Sequence, residues 1–233
     1  MELSLNATTP HTYVDIASGS CTDDTNTVIM HYAGYTGKRL GTSWTAGVGF
    51  MQSGSTLSAN TWYHVYVIGT AYGATNMIAV PHGTAFGYPT TSFIYKRYIG
   101  SLKTDSSSYV IPYEQKGNIF LWLEPVLEIN GSYTSTARSL LTINIPPGVV
   151  CEATVQYTHD NNVSHYFTCP SQTDEAVDGA NALATQNCPD TIGSVRVTTQ
   201  RSNTSSQIGF RPADTVTLRL RTKSYENRRG APW

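Results

Sequence analysis

Hydrophobic and polar residues alternate with a period of two along much of the chain, a pattern typical of β-strands that bury one face. In VTLRLRTKSY, Val216, Leu218 and Leu220 fall on one face, whereas Arg219 and Arg221 fall on the other. The runs CEATVQYTH, SVRVTTQ and SLLTINI repeat this alternation. Turn-forming runs such as SGS, YTG and IPPG separate the strands at short intervals, as in sandwiches and barrels. We therefore predict an all-β protein, an antiparallel and jelly-roll-like β-sandwich with little helix.

Two segments predict strands that are covered on both faces. In NTWYHVYVIG, Trp62, His64 and Tyr66 alternate with Tyr63 and Val65, so both faces carry large rings or branched side chains. We interpret this run as a core strand. We interpret its histidine, His64, as a structural residue and not as a metal ligand. The segment FLWLEPVLEI is also apolar on both faces, and its proline should interrupt the strand.

Helical periodicity is nearly absent. The best candidate is DEAVDGANALATQN at residues 174–187, which is rich in alanine but contains Gly179, so we expect at most a short helix or an irregular loop there. No low-complexity linker marks a domain boundary. We predict a single elongated β domain over residues 1–233, with a division into two lobes near residues 146–148 as the alternative.

Composition and charge narrow the classes of partner. Charged residues make up 13% of the chain and the formal net charge is −1, which gives no overall attraction to nucleic acid or to an anionic membrane. Residues 151–190 carry six acidic residues and no lysine or arginine, whereas residues 191–233 carry eight basic residues. We interpret this segregation as contact between the two segments, within a subunit or between subunits. The alternative, a basic patch for nucleic acid, lacks a recognisable motif, so we expect no nucleic-acid partner.

The sequence gives no sign of a membrane segment. The N-terminal MELSLNATTP lacks the basic and apolar regions of a signal peptide. The longest apolar run, IFLWL, is far too short to span a bilayer. We expect synthesis in a cytoplasm and no membrane insertion.

No constellation of residues predicts catalysis or a metal centre. Glu124 and Glu128 are the only close carboxylates beside an aromatic strand. Four residues along a strand span about 13 Å, whereas glycosidase carboxylates lie about 5–9.5 Å apart. The group His159, Asp160 and His165 lacks the fixed spacing of known metal sites, and the four cysteines show no CxxC spacing. We therefore expect no enzyme activity, no catalytic residues, no cofactor and no metal.

One segment predicts a specific hairpin. In CEATVQYTHDNNVSHYFTC, turn residues are centred on Asp160, and symmetric folding there places Cys151 opposite Cys169. A cross-strand disulfide is then sterically allowed. Two reduced, buried thiols are the favoured alternative for a protein assembled in a reducing cytosol.

Exposed loops and hairpin tips are the candidate binding sites, because aromatic rings stack on sugar faces while amides and carboxylates bond sugar hydroxyls. The first candidate is the tip of this hairpin, with Tyr157, His159, Asp160, Asn161 and His165. The second is the loop that carries His82, Phe86 and Tyr88. An ordinary solvated turn is the alternative interpretation of each.

Several stretches in a fixed order resemble a group of bacteriophage and prophage proteins. They are VDIASGSCTDDTNTVIM, KRLGTSWTAGVGFMQSGSTLSANTWYHVYVIG and YKRYIGSLKTDSSSYVIPYEQKGNIFLW. The similar order in that group is an aspartate-rich segment, K-x-L followed by W and G, N-T-x-Y-H-V, Y-x-R-I-G-S and an aromatic strand. The ending YENRRGAPW is similar to the R-G ending of the same group. At NMIAVPHGTAFGYP the chain departs from the pattern, so no binding site is transferred.

The resemblance implies a structural or adhesive virion component without a cofactor. The leading expectation is a tail-fibre or receptor-binding subunit that is made in the host cytoplasm, resides in the virion and contacts host-surface glycan. Its partners would be copies of itself, as a trimer by analogy with other phage fibres, and other virion proteins. The alternatives are a non-adhesive virion protein (a capsid decoration, head fibre or tail adaptor) and a glycan-degrading enzyme.

Overall fold

The computed structural model describes residues 1–133, 137–160, 164–174 and 196–227. These residues form 18 strands and no helix, which confirms the all-β class. No helix in the described ranges is therefore long and apolar enough to cross a membrane. The strands are β1 (Leu3–Leu5), β2 (Tyr13–Ile16), β3 (Gly19–Thr22), β4 (Ile29–Tyr32), β5 (Tyr35–Ser43), β6 (Gly49–Met51), β7 (Trp62–Thr70), β8 (Thr75–Pro81), β9 (Phe93–Lys103), β10 (Tyr113–Lys116), β11 (Ile119–Trp122), β12 (Ile129–Tyr133), β13 (Ser139–Thr142), β14 (Cys151–His159), β15 (His165–Thr168), β16 (Arg196–Arg201), β17 (Gln207–Pro212) and β18 (Val216–Asn227).

The described residues divide into two compact units, with the boundary between residues 118 and 119. The turn at residues 146–148, where the sequence suggested a division, lies inside the second unit. That the chain is one elongated domain stays a prediction.

A seven-stranded sheet is the largest sheet of the first unit, in the order β1-β2-β5-β6-β8-β7-β9, and β3 and β4 form a separate two-stranded sheet there. The pairings β5–β6 and β6–β8 are parallel, so this sheet is mixed and not purely antiparallel. Strand β7 lies between β8 and β9, and seven of its nine residues are buried. The aromatic run NTWYHVYVIG therefore forms a core strand, as predicted from the large side chains on both of its faces.

In the second unit, β18 pairs with β14 along one edge and with β11 and β12 along the other. Strand β16 continues this sheet beyond β14, and β13, β17 and β15 form a separate three-stranded sheet. The alternation predicted for β18 is confirmed, because Val216, Leu218 and Leu220 are buried whereas Arg219 and Arg221 are exposed.

The predicted hairpin between β14 and β15 is wrong. Strand β14 is hydrogen-bonded to β18 on one edge and to β16 on the other, while β15 pairs with β17 in the other sheet. Both edges of β14 are therefore occupied, and no ladder places Cys151 opposite Cys169. Both cysteines are free thiols; Cys151 is buried and Cys169 is partly exposed. Cys188 lies outside the described residues.

The segment FLWLEPVLEI differs from its prediction in burial. Phe120 and Trp122 are buried, but Leu121, Leu123 and Leu127 are exposed. The strand is thus covered on one face only, and the break after Trp122 agrees with the predicted interruption at the proline. The predicted short helix or loop at residues 174–187 lies outside the described residues from position 175 onward.

Candidate functional site

The first candidate site turns out to consist mainly of buried side chains. Tyr157 and His165 are each 1% exposed and His159 is 7% exposed. His165 Nε2 lies 3.1 Å from Tyr157 Oη, and the two imidazole ring centroids are 4.9 Å apart. These rings pack as part of a core, which removes the exposed faces on which stacking with a sugar would depend.

Asp160 follows β14 and serves the backbone of β18. Thr217 donates its backbone N–H to Asp160 Oδ1 at 2.7 Å, and hydrogen bonds from Thr217 hold the pKa of the Asp160 carboxyl below its ordinary value. This carboxylate is therefore committed to a local contact. Asn161 lies outside the described residues, so the binding role of this tip stays a prediction.

The second candidate, the loop of residues 82–92, connects β8 to β9. It begins where His82 donates its backbone N–H to Trp62 O at 2.8 Å, at the start of β7. It ends at Phe93, which pairs with Thr70 at the other end of β7. The loop thus passes along β7 from one end of the strand to the other.

A single glutamine side chain holds the middle of this loop. Gln52 Nε2 donates to Ala85 O at 2.9 Å, and Gly87 N donates to Gln52 Oε1 at 2.7 Å. A side-chain amide can act as donor and acceptor at once, so Gln52 fixes the backbone on both sides of Phe86. No signal in the sequence identified this contact, because Gln52 is 33 residues from Ala85.

Aromatic rings from the loop pack on rings from the sheet. Phe86 lies 4.9 Å from Tyr66 and 5.0 Å from Tyr88 by ring centroid, both edge-on. Lys96 Nζ lies 4.4 Å from the Phe86 centroid and 4.0 Å from Asp24 Oδ2. Edge-on rings and a cation over a ring face are both favourable geometries, so the loop is anchored by Phe86.

A β-bulge assembles the polar part of the site. Ser101 of β9 pairs with His64 and Tyr98 pairs with Tyr66, because the register shifts between Val65 and Tyr66. Without this extra residue in β9, positions 98 and 101 would point to opposite faces. With the bulge, Tyr98 Oη lies 2.8 Å from Ser101 Oγ.

The bulge completes a chain of hydrogen-bonded side chains that runs from the surface into the sheet. Ser101 Oγ lies 2.8 Å from His64 Nδ1, and His64 Nε2 lies 3.2 Å from His82 Nδ1. Burial, together with the neighbouring His82, lowers the pKa of His64 to about 4. The imidazole of His64 is therefore neutral near pH 7. Ser101 is buried, so its hydroxyl is shielded from a bulky substrate.

The outer part of the loop presents an open, shallow depression. Its lining consists of Tyr88, Thr90, Thr91, Phe93 and Ile94. Tyr88 Oη donates to Ile94 O at 2.9 Å, which fixes the ring while 39% of the residue stays exposed. An immobilised ring beside threonine hydroxyls offers a stacking face and hydrogen-bonding groups at little cost in conformational entropy.

Glu128, one of the two carboxylates considered for catalysis, is hydrogen-bonded to the backbone. Glu128 accepts hydrogen bonds from Asn144 N at 2.7 Å, from Thr222 N at 2.7 Å and from Thr222 Oγ1 at 2.9 Å. Both of its oxygens are used to hold the backbone, whereas Glu124 is exposed. This contact explains the position of Glu128 without any catalytic role.

Comparison with known proteins adds no family to this description. The chain matches no model of a protein family, and no similar protein was found among curated sequences or among solved structures.

Proposed function

We propose that the protein is a bacteriophage virion component, a tail-fibre or receptor-binding subunit, and that it contacts host-surface glycan at the depression beside Tyr88. The observation that carries the proposal is the fixed, partly exposed ring of Tyr88 next to the exposed Thr90 and Thr91. The order of phage-like sequence motifs supports the placement in a virion.

The chemistry of the depression favours a sugar over a charged or strongly apolar ligand. Tyr88, Phe93 and Ile94 supply apolar surface, and Thr90 and Thr91 supply hydroxyls. The lining contains no charged residue, so it offers no fixed charge to pair with an ionic group. A pyranose ring matches this combination, with one apolar face and a rim of hydroxyls.

Such a shallow site binds weakly, and the proposal therefore includes a homo-oligomer. Linked copies convert later binding events into intramolecular ones, so several weak sites give high avidity without a deep pocket. A trimer is the expected state by analogy with other phage fibres. Mass photometry of the purified protein measures this state directly, and a monomer would contradict this part of the proposal.

A panel of purified bacterial lipopolysaccharides and capsular polysaccharides tests the proposal. The intact protein should bind at least one member of the panel, and it should compete with phage adsorption to cells that display that polysaccharide. Binding to none of the polysaccharides, together with no effect on adsorption, would contradict the adhesive function.

A non-adhesive structural part of the virion is the second candidate. It is favoured by a run of exposed apolar side chains at the start of the second unit, a composition typical of protein–protein interfaces. These residues are Ile119, Leu121, Leu123, Val126 and Leu127. Immunogold labelling of virions separates the candidates, since signal at the capsid or neck favours the structural part and signal at fibre tips favours the adhesin.

A further inference from the structure

The contact between His64 and His82 has the nitrogen-to-nitrogen distance that a shared metal ion also requires. The His64 Nε2 and His82 Nδ1 atoms are 3.2 Å apart, and the two rings are inclined by 81°. Two imidazole nitrogens bound to one tetrahedral zinc ion, each at about 2.0–2.1 Å, lie about 3.3 Å from each other. The two nitrogens are therefore already spaced as ligands of a single ion.

The surroundings of His64 match those of a metal ligand. Ser101 Oγ lies 2.8 Å from Nδ1, and Tyr98 Oη supports that hydroxyl at 2.8 Å. Metal-binding histidines commonly donate their second ring N–H to a fixed acceptor, which sets the tautomer and the ring orientation. In the tautomer that carries its proton on Nδ1, His64 donates to Ser101 Oγ, and Nε2 then presents its lone pair towards His82.

An ion can reach this pair from solvent. His82 is exposed and follows the end of β8, whereas His64 is nearly buried in β7. No group of three or more His, Cys, Asp or Glu residues that could hold a metal occurs within the described ranges. The protein thus supplies two ligands and leaves the remaining coordination positions to water.

We propose that His64 and His82 form a binding site for a divalent transition-metal ion, with Zn²⁺, Ni²⁺ and Cu²⁺ as the chemical class. Imidazole nitrogens favour these ions over Ca²⁺ and Mg²⁺, which prefer oxygen ligands. The site differs from the proposed glycan surface in its residues and in its ligand, so either can fail without the other.

Titration of the intact protein with zinc chloride or nickel chloride, followed by calorimetry and thermal unfolding, tests the site. An ion that binds only the folded state raises the Tm by mass action. The decisive variant is His82→Asn, because an amide is able to hydrogen-bond to His64 but is a poor ligand for these ions. We expect this variant to lose at least about tenfold in affinity for zinc. Ser101→Ala, which removes the hydroxyl that supports His64, should cause a similar loss.

His31→Ala is the matched control. His31 Nδ1 also lies close to a serine hydroxyl, Ser20 Oγ at 2.7 Å, but no hydrogen bond joins it to a second imidazole in the described part of the chain. This variant should bind zinc as the wild type does, and magnesium chloride should shift the Tm of neither protein. Equal zinc affinity of the wild type and His82→Asn, or no zinc binding by the wild type, would overturn the proposal and leave the 3.2 Å contact as a hydrogen bond only.

Discussion

At the scale of the residue, burial sets the chemistry of His64. The side chain is partnered at both ring nitrogens, yet it lies where a positive charge is poorly solvated. Burial and the adjacent His82 together lower its pKa to about 4, because a desolvated imidazolium is costly. A histidine that sequence analysis assigned to structure is thus also a source of acid sensitivity.

The stability of the protein should therefore fall as the pH falls from about 6.5 to about 4. In this window the unfolded chain binds a proton at this histidine and the folded chain does not, so acid favours the unfolded state. The lowered pKa of about 4 corresponds to a loss of about 3 kcal/mol once the window is crossed. Urea unfolding of the wild type and of His64→Gln at pH 7 and pH 4.5 measures this, with a smaller pH dependence expected for the variant.

His31→Gln is the control for that experiment, because it makes the same substitution at an exposed histidine. Identical pH dependence of the wild type and His64→Gln would contradict the assignment.

At the scale of the element, β7 determines how the first unit is built. It is hydrogen-bonded to neighbours on both edges, and most of its side chains are buried. Tyr63 of this strand is 0% exposed, and the Tyr63 Oη atom accepts a hydrogen bond from Ser58 N at 2.7 Å. A strand of this kind supplies stability and a rigid base for the loop above it.

Tyr63→Ala should lower the free energy of unfolding by about 3–5 kcal/mol, the usual cost of truncating a large buried ring. Denaturant unfolding monitored by tryptophan fluorescence measures the loss. Tyr72→Ala is the matched control, since Tyr72 is 99% exposed and its truncation should change stability by no more than about 0.5 kcal/mol. Similar stabilities for the two variants would contradict the placement of β7 in the core.

The strands that could be predicted from the sequence are those marked by alternating hydrophobic and polar residues within one short segment. Strand β14 alternates as CEATVQYTH suggests, and its inward positions, from Cys151 to His159, are all buried. Its partner was not predictable, because β14 and β15 are close in sequence but the ladders join each to a distant strand. Pairing depends on which distant edges are free, and a local pattern carries no information on that.

The same limit applies to the candidate site. The sequence identified the loop with His82, Phe86 and Tyr88 from its aromatic content. It did not identify Gln52, which holds the loop, or the bulge in β9 that brings Tyr98 to Ser101. Both depend on contacts between strands and loops far apart in sequence, so no local pattern marks them.

Gln52→Ala tests whether the loop depends on that clamp. Loss of two hydrogen bonds, each contributing about 1 kcal/mol, should speed amide hydrogen exchange in residues 83–88 with little change in the strands. Hydrogen exchange followed by mass spectrometry measures the effect. Gln200→Ala in β16, which loses a contact with Thr198 Oγ1, should leave exchange in this loop unchanged; equal exchange in wild type and Gln52→Ala would contradict the clamp.

At the scale of the whole molecule, the two compact β units carry different surface features. The first unit, residues 1–118, carries the loop and its polar, aromatic depression. The second, residues 119–227, carries exposed leucine and valine side chains. The proposed glycan contact therefore concerns the first unit, whereas the apolar run that favours the non-adhesive candidate lies in the second.

The affinity of a single site for the polysaccharide identified by the panel tests the central proposal most directly. Tyr88→Ala should weaken the affinity per site by up to about tenfold, since a ring contact contributes about 0.5–1.5 kcal/mol. Tyr109→Ala, which removes a ring of similar exposure (45% against 39%), should bind as the wild type does. Equal affinity of the wild type and Tyr88→Ala, at unchanged Tm and oligomeric state, would contradict the account.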